Sequence, residues 1–248
     1  MGHVKTSLVT FHDGGGTMSI LPYRQSERRR KREALDQTRI VRAALALLDE
    51  VGLDDLTMRR LADRLNVKAA SLYRHVRNKD ELLMLLGDEI SGEIPLVRPS
   101  GSWQNQLKEM ARNVRQGLLA HRDAARLLAI TPPFGPRRLR HVESVLRTLR
   151  ASGLTDRDAA SAAYHCNNFV TEFAADEARF ASMALSTGGN RRKMFDEARK
   201  HFKSLPVEEY PTIVALADYL TKDDSDALFE FGLDMYIRGL HSLSKHRA

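Results

Sequence analysis

The stretch LTMRRLADRLNVKAASLYRHVRNK, residues 56–79, has the pattern of two short helices joined by a tight turn. Thr57 is a favourable N-cap, and the apolar residues that follow it recur at three- and four-residue intervals. Asn66 supplies the turn, because a short polar side chain tolerates the left-handed conformation in which many helices end. Ala69 and Ala70 are small enough for the second helix to pack closely on the first. The pattern predicts a compact helix pair with one polar side.

The outward side chains of this helix pair have the chemistry that recognises DNA. Arg59 can donate two hydrogen bonds to the O6 and N7 atoms of a guanine, and the hydroxyl of Tyr73 can donate to a phosphate. Lys79 begins the next predicted helix, where its ammonium and the free backbone N–H groups together favour a phosphate. The alternative is that Tyr73 and His75 pack between helices. The whole pattern is typical of a helix-turn-helix that lies in the major groove.

Residues 37–90 resemble the DNA-binding domain of the TetR family of bacterial transcriptional regulators. The family pattern LTxRxLAxxLGVxxxxLYxHVxNKxxLL appears here as LTMRRLADRLNVKAASLYRHVRNKDELL, with Asn66 where the family usually has Gly. The resemblance assigns Thr57, Tyr73 and Lys79 to the phosphate backbone. It also implies a group of candidates for base edges or nearby phosphates, namely Arg59, Lys68, Ala69, Ala70, Ser71 and His75.

The composition favours a polyanionic partner. The formal net charge of the 248 residues is +7, and residues 28–32 form the basic run RRRKR just before the first predicted helix. We predict a disordered basic arm over residues 1–32, which either adds salt-dependent affinity for DNA or stays solvated. Double-stranded operator DNA is the partner that the charge and the motif predict together.

Several classes of protein are excluded by what the sequence lacks. No segment approaches the roughly 20 apolar residues of a membrane helix, and no stretch resembles a signal peptide. Cys166 is the single cysteine, so it can form no internal disulfide. There is no G-x-S-x-G, phosphate-binding glycine loop, H-E-x-x-H or Cys/His metal cluster. We therefore predict a cytoplasmic protein that is not an enzyme, with no catalytic residue, no cofactor, no metal and no membrane contact.

Helical periodicity runs through nearly the whole chain. We predict a first helix over residues 36–51 with Gly52 as its C-cap, and a fourth helix from Lys79 to about Glu93. Proline and glycine residues between 95 and 101 then break the chain. This break is the predicted boundary between two domains.

The predicted fold is all-α. A three-helix helix-turn-helix DNA-binding domain at residues 33–94 precedes a larger helical ligand-binding and dimerisation domain at residues 102–248. A loop with one short helix is predicted near residues 206–220. The other helices predicted in the second domain cover residues 102–121, 123–129, 136–151, 155–183, 191–203 and 225–243.

From Trp103 to about Ala178 the chain also resembles the regulatory domain of the subgroup that contains the tetracycline repressor. This resemblance implies a homodimer in which helices 156–183 and 225–243 of each subunit form a four-helix bundle. The predicted dimer interface is an apolar stripe on the last helix, formed by Phe229, Leu233, Tyr236, Ile237 and Leu240. The alternative is that this stripe packs within its own subunit. A symmetric dimer predicts an inverted-repeat operator with half-sites about 34–36 Å apart or a multiple of that.

The same resemblance bears on the ligand. Leu128 stands where the tetracycline repressor has a His that holds magnesium, so the metal site is predicted to be absent. Pro95 replaces a second His, Met110 an Asn and Val114 a Phe. We predict an unknown, medium-sized, mainly hydrophobic effector. The candidate ligand-binding residues, each of which could instead be ordinary core or surface, are Met110, Val114, Leu127, Leu128, Thr131, Pro133, His165, Asn168, Phe169 and Glu172.

The function that follows is a ligand-responsive regulator of the TetR type. We expect a repressor that binds DNA as a homodimer and that the effector releases by moving the fourth helix. Two alternatives share the same fold: an activator, and a ligand-independent DNA-binding protein whose second domain serves only dimerisation.

Overall fold

A computed structural model of the protein describes residues 35–186 and 191–245. All regular elements in these two ranges are helices, which confirms the predicted all-α fold. The arm predicted at residues 1–32 and the loop predicted at residues 187–190 lie outside the described residues. The described helices are α1 (Gln37–Val51), α2 (Met58–Leu65), α3 (Ala69–Leu72), α4 (Lys79–Glu93), α5 (Trp103–Leu119), α6 (Ala124–Ile130), α7 (Pro136–Ala151), α8 (Asp156–Ser186), α9 (Arg191–Lys203), α10 (Pro211–Leu220) and α11 (Ser225–Lys245).

The first helix begins and ends where local chemistry predicts. Asp36 caps α1 by accepting a hydrogen bond from the backbone N–H of Arg39 at 2.7 Å. At the other end Gly52 has a φ of 81°, and its N–H donates to the carbonyl of Leu48 at 2.8 Å. Such bonds satisfy backbone groups that a helix end would otherwise leave unpaired.

The later helices also follow the predicted pattern closely. α9 has the predicted bounds, and α10 is the short helix expected between Pro206 and the last helix. α8 runs past its predicted end at Met183 to Ser186, because neither Gly nor Pro interrupts the chain there.

A first apolar cluster, the N-terminal core, joins α1–α4 to α6 and takes one residue each from α5 and α8. Ile40 of α1, Leu61 of α2 and Leu82 of α4 are completely buried in it, together with Leu127 of α6. Each such side chain stabilises the fold by about 1.5–3 kcal/mol through burial alone. The helix-turn-helix therefore shares its core with the first helices of the second predicted domain.

A second cluster, the C-terminal core, joins α5, α7, α8 and α11. Phe229 of α11 is completely buried and stacks on Phe169 of α8, with ring centroids 5.5 Å apart. Together the described residues form one compact unit. The division into domains at residues 33–94 and 102–248 therefore stays a prediction.

Candidate DNA-binding surface and effector site

The turn between α2 and α3 has the geometry that its sequence predicts. The hydroxyl of Thr57 caps α2 by accepting the N–H of Arg60 at 3.2 Å. Asn66 follows α2 in the left-handed conformation, with φ 52° and ψ 49°. α3 is one turn long, and Leu72 at its end is completely buried against α2 and the rest of the N-terminal core. Burial of this residue fixes which side of α3 faces outward.

None of the nine predicted DNA-binding residues is buried. Tyr73 is 50% exposed, so its ring and hydroxyl remain accessible to a ligand. The other exposed members of the set are Thr57, Arg59, Lys68, Ala69 and Ala70. The half-buried members are Ser71, His75 and Lys79.

The cations of this surface are free of intrachain acids. Arg59, Lys68 and Arg74 form no ion pair or side-chain hydrogen bond within residues 35–186 and 191–245. Arg60 beside them is different, because it pairs with Asp55 at 3.1 Å. Unpaired, exposed cations are available to phosphates and base edges.

The start of α4 is capped from both sides. Asn78 accepts the N–H of Glu81 at 2.8 Å, and the carboxylate of Glu81 accepts the N–H of Arg77 at 2.6 Å. The backbone N–H and the guanidinium of Arg77 both donate to this carboxylate and lower the pKa of Glu81. The capping uses one of the backbone donors predicted to bind a phosphate beside Lys79, so that role of Lys79 remains a prediction.

A polar junction, which the sequence analysis missed, joins the loop after α1 to the loop between α5 and α6. The imidazole of His121 contacts Asp49 at 3.1 Å through Nδ1 and Glu93 at 2.8 Å through Nε2. Burial alone would lower the pKa of His121, but the two carboxylates outweigh it and raise the pKa above 6.5. The junction thus ties α1, the end of α4 and the regulatory helices together.

Two further contacts complete the junction. Asp123 has φ 57° and accepts the backbone N–H of Leu53 at 2.8 Å, instead of capping α6 as its position suggests. Arg126 forms a bidentate pair with Asp54, at 2.8 and 2.6 Å. A run of charged residues between two helices, residues 121–123, was the signal in the sequence that could have indicated this contact.

The ten predicted ligand-binding residues are distributed over both cores and the surface. Leu127 and Leu128 belong to the N-terminal core, whereas Phe169 packs on the C-terminal core. Met110 and Thr131 are buried, and Val114 contacts both cores. Pro133, His165 and Glu172 are exposed, and Asn168 is half-buried.

The predicted dimer stripe faces inward. Phe229 and Leu233 are completely buried in their own chain, Ile237 and Leu240 nearly so, and Tyr236 donates its hydroxyl to the carbonyl of Ala162. The structure therefore assigns this stripe to the intrachain core, which was the alternative. The opposite side of α11 and the middle of α8 instead expose large apolar side chains, namely Leu228, Phe231, Met235 and Tyr164.

The remaining groups offer little chemistry for a metal or a nucleophile. Burial raises the pKa of Cys166 to about 12, so its thiol stays protonated near neutral pH. Across the described ranges no three His, Cys, Asp or Glu side chains are placed to hold a metal ion. None of the helices described is both long and apolar enough to span a membrane.

Comparisons with known proteins agree with this architecture. Residues 40–85 match the family of bacterial regulatory proteins described as tetR, and residues 95–243 match the tetracyclin repressor-like C-terminal domain. The tetracycline repressor protein class A from transposon 1721 of Escherichia coli is 35% identical over 209 residues, which cover 83% of this chain and 90% of that protein.

Two solved structures show the same fold with different ligands. ActR of Streptomyces coelicolor in complex with actinorhodin is 40% identical, with a TM-score of 0.76 over 84% of this chain and 96% of ActR. BioQ of Mycobacterium smegmatis has been solved with its double-stranded DNA operator. That structure is 28% identical, with a TM-score of 0.63 over 84% of this chain and 99% of BioQ. The chain belongs to the TetR family of bacterial transcriptional regulators.

Proposed function

We propose that the protein is a homodimeric repressor that binds an inverted-repeat operator and is released by a small effector. The observation that carries this proposal is the surface of α2 and α3, where Arg59, Lys68 and Tyr73 are exposed above a completely buried core. Since no intrachain acid neutralises the two cations in the part of the chain described, DNA is the partner that they fit.

The relatives support each half of the proposal. One is named a tetracycline repressor, BioQ is bound to operator DNA, and ActR is bound to the small molecule actinorhodin. Repression, operator binding and release by an effector come to this chain by analogy with them.

We also propose that dimers form through the outer sides of α8 and α11. Leu228, Phe231 and Met235 recur at three- and four-residue spacing along α11 and are each more than half exposed. Tyr164 of α8 is 65% exposed. Large apolar side chains gathered on two neighbouring helices are typical of a subunit interface.

Selection from random duplex DNA tests the proposed function. The purified protein should enrich an inverted repeat whose binding weakens steeply with salt, because several phosphates are neutralised. A reporter gene placed behind that operator then separates repression from activation. Recovery of unselected DNA, or of a single half-site without its inverted copy, would contradict a dimeric operator-binding repressor.

Sedimentation tests the proposed dimer. Phe231→Glu places a charge in the proposed interface and should yield monomers, together with loss of tight operator binding. Phe134→Glu is the matched control, because Phe134 is 73% exposed and belongs to the loop before α7 instead of to α8 or α11. A Phe231→Glu variant that remains dimeric would move the interface elsewhere.

A further inference from the structure

A cavity of about 770 Å³ lies between α7 and residues 96–99, the segment that follows α4. Its apolar lining includes Leu96, Val97 and Leu139. Leu96 and Leu139 are about half exposed, so the cavity is open to solvent on one side. The volume falls in the range of small-molecule sites, about 300–1,000 Å³. The size of the cavity therefore suits a medium-sized organic molecule.

Three arginines are among the residues that line this cavity. They are Arg98, Arg140 and Arg147, and none of their guanidinium groups forms an ion pair or hydrogen bond within the described residues. Neighbouring arginines on α7 differ, because Arg137 pairs with Glu89 and Arg150 pairs with an aspartate of α8. On α7, the arginines whose guanidinium groups have no partner are thus the two that line the cavity, since Arg138 donates to the carbonyls of Thr131 and Leu128.

The remaining charged residue in the lining is Glu143, which also forms no ion pair within the part of the chain described. The lining therefore contains three positive groups and one negative group. This imbalance favours an anionic ligand, because a neutral ligand would leave the guanidinium groups uncompensated on entry.

A buried hydroxyl in the cavity lining also lacks a partner. Ser144 is 5% exposed, yet its Oγ has no hydrogen bond. The comparable hydroxyls of Ser91 and Thr221 each donate to the carbonyl four residues earlier, at 2.7 Å. Buried polar groups are nearly always hydrogen-bonded, since leaving one unpaired costs free energy. Ser144 thus contributes one unpaired hydroxyl to the residues that line the cavity.

We propose that this cavity is the effector site and that the effector is an apolar anion. Its ring system or chain lies on Leu96 and Leu139, its acidic group binds Arg140 and Arg147, and a second polar atom bonds to Ser144. This inference rests on the proposed function and names the effector class. It differs from the site predicted from sequence, of which Leu127, Leu128 and Phe169 pack in the two cores.

The position of the cavity connects ligand binding to the DNA-binding surface through α4. Residues 96–99 come two residues after the end of α4, and α4 lies in the N-terminal core with α1. At the other wall, the first two N–H groups inside α7, those of Arg137 and Arg138, donate to Asp88 of α4 at 2.8 and 2.9 Å. A ligand that separates α7 from residues 96–99 therefore displaces the end of α4.

Two matched probes test the charge of the ligand. Anthracene-9-carboxylate and its neutral anthracene-9-carboxamide have nearly the same shape, and both fluoresce. Titration of the full chain without DNA should show about tenfold tighter binding of the carboxylate, as expected for a charge-assisted hydrogen bond in a partly exposed site. Equal affinities, or no binding of the carboxylate at millimolar concentration, would overturn the proposal.

Variants of α7 test the location. Arg140→Gln combined with Arg147→Gln should reduce carboxylate affinity to that of the carboxamide. Arg150→Gln is the control on the same helix, since it removes a cation that does not line the cavity. Ser144→Ala should weaken the binding of the carboxylate without lowering the thermal unfolding temperature, because the hydroxyl has no intrachain bond to lose. Wild-type affinity in the double variant would overturn the assignment.

The operator separates this inference from the proposed function. On selected operator DNA, the carboxylate should release the wild-type protein and leave the double variant bound. Suppose that an operator is selected but the double variant binds the probe as the wild type does. The proposed effector site is then wrong, whereas the proposed function as an operator-binding regulator is kept. If no operator is selected, the proposed function fails, and the probe titration still decides whether the cavity binds anions.

Discussion

The DNA-binding surface and the polar junction are both rich in charge, yet they are built in opposite ways. On α2 and α3, Arg59 and Lys68 are exposed and lack an acidic partner among the described residues. At the junction, His121 lies between two carboxylates and Arg126 forms a bidentate pair with Asp54. A cation that is already paired within the chain has little charge left for a ligand, whereas an unpaired one is available to it.

This difference indicates which parts of the protein move together. The junction fixes the loop between α5 and α6 to the end of α1 through several hydrogen bonds, including that from Leu53 to Asp123. The helix-turn-helix shares its core with α6. A displacement of the regulatory helices is therefore expected to rotate α1–α3 as one body and to leave the surface of α2 and α3 intact.

The largest expected effect lies at the junction, at Gly52. This residue has φ 81° and ψ 174°, a region essentially restricted to glycine, and an added Cβ would lie 2.8 Å from Oδ2 of Asp123. Gly52→Ala should lower the free energy of unfolding by about 2–4 kcal/mol, because it strains the backbone and displaces the carboxylate from the buried N–H of Leu53. Urea denaturation measures this change.

Gly101→Ala is the control for backbone strain alone. Gly101 has φ 70°, but an added Cβ there meets nothing within 4 Å. We expect a loss of about 1 kcal/mol. Equal losses for the two variants would mean that the contact between the loops adds nothing to stability.

The next largest effect is expected on DNA binding by the surface of α2 and α3. Arg59→Ala should cost about 1–3 kcal/mol of binding at one operator position and relax the base preference there. Arg60→Ala on the same helix should change little, because Arg60 already pairs with Asp55. Lys79→Ala should instead weaken all sequences alike and lower the salt slope. Binding assays on the selected operator and on random DNA distinguish these outcomes, and an equal loss on both for Arg59→Ala would refute its role in base recognition.

The helix-turn-helix could be predicted from sequence because its determinants are local. Thr57 and Asn66 act on the backbone within four residues of themselves, and their cap and left-handed turn are found as predicted. The bounds of other helices could also be predicted, because caps and helix-breaking residues act locally as well. The junction could not be predicted, since its partners lie far apart in the chain, as His121 and Asp49 do by 72 residues.

The dimer stripe and the effector site show a second limit. An apolar stripe such as that of Phe229 and Leu233 indicates burial, but not whether its own chain or a partner covers it. Ligand positions transferred from a relative carry information only while the side chains keep their chemistry. Leucine at positions 127 and 128 supplies volume for a core in this chain, and both residues pack there.

A smaller effect should appear as a pH dependence at the junction. The pKa of His121 is raised above 6.5 in the folded protein, so its contribution to stability is complete below about pH 6.5 and is lost as the pH rises through the raised pKa. His121→Gln should therefore lose about 1 kcal/mol relative to the wild type near pH 6 and almost nothing near pH 9. Urea denaturation at both pH values measures the difference.

His165→Gln is the control for this pH dependence. His165 is exposed and contacts the ring of Tyr164, with no carboxylate bonded to it in the described structure. Its replacement removes an imidazole but no contact with a carboxylate, so it should not reproduce the loss expected for His121→Gln near pH 6. A wild-type protein whose stability advantage over His121→Gln grew with rising pH would show that burial of the neutral ring dominates instead.

The smallest expected effect concerns backbone conformation, which can be compared between the DNA-binding surface and the junction. Asn66 on the DNA-binding side and Asp123 at the junction are the non-glycine residues with positive φ in the described chain. Asp123 uses its carboxylate to bind Leu53, whereas the side chain of Asn66 forms no hydrogen bond within the described residues. Asn66→Gly should therefore remove strain and nothing else, which raises the free energy of unfolding by about 0.5 kcal/mol after the greater freedom of the unfolded glycine is subtracted. Operator affinity should stay unchanged, because the turn keeps its geometry; a loss of affinity would show that the amide of Asn66 itself contacts DNA.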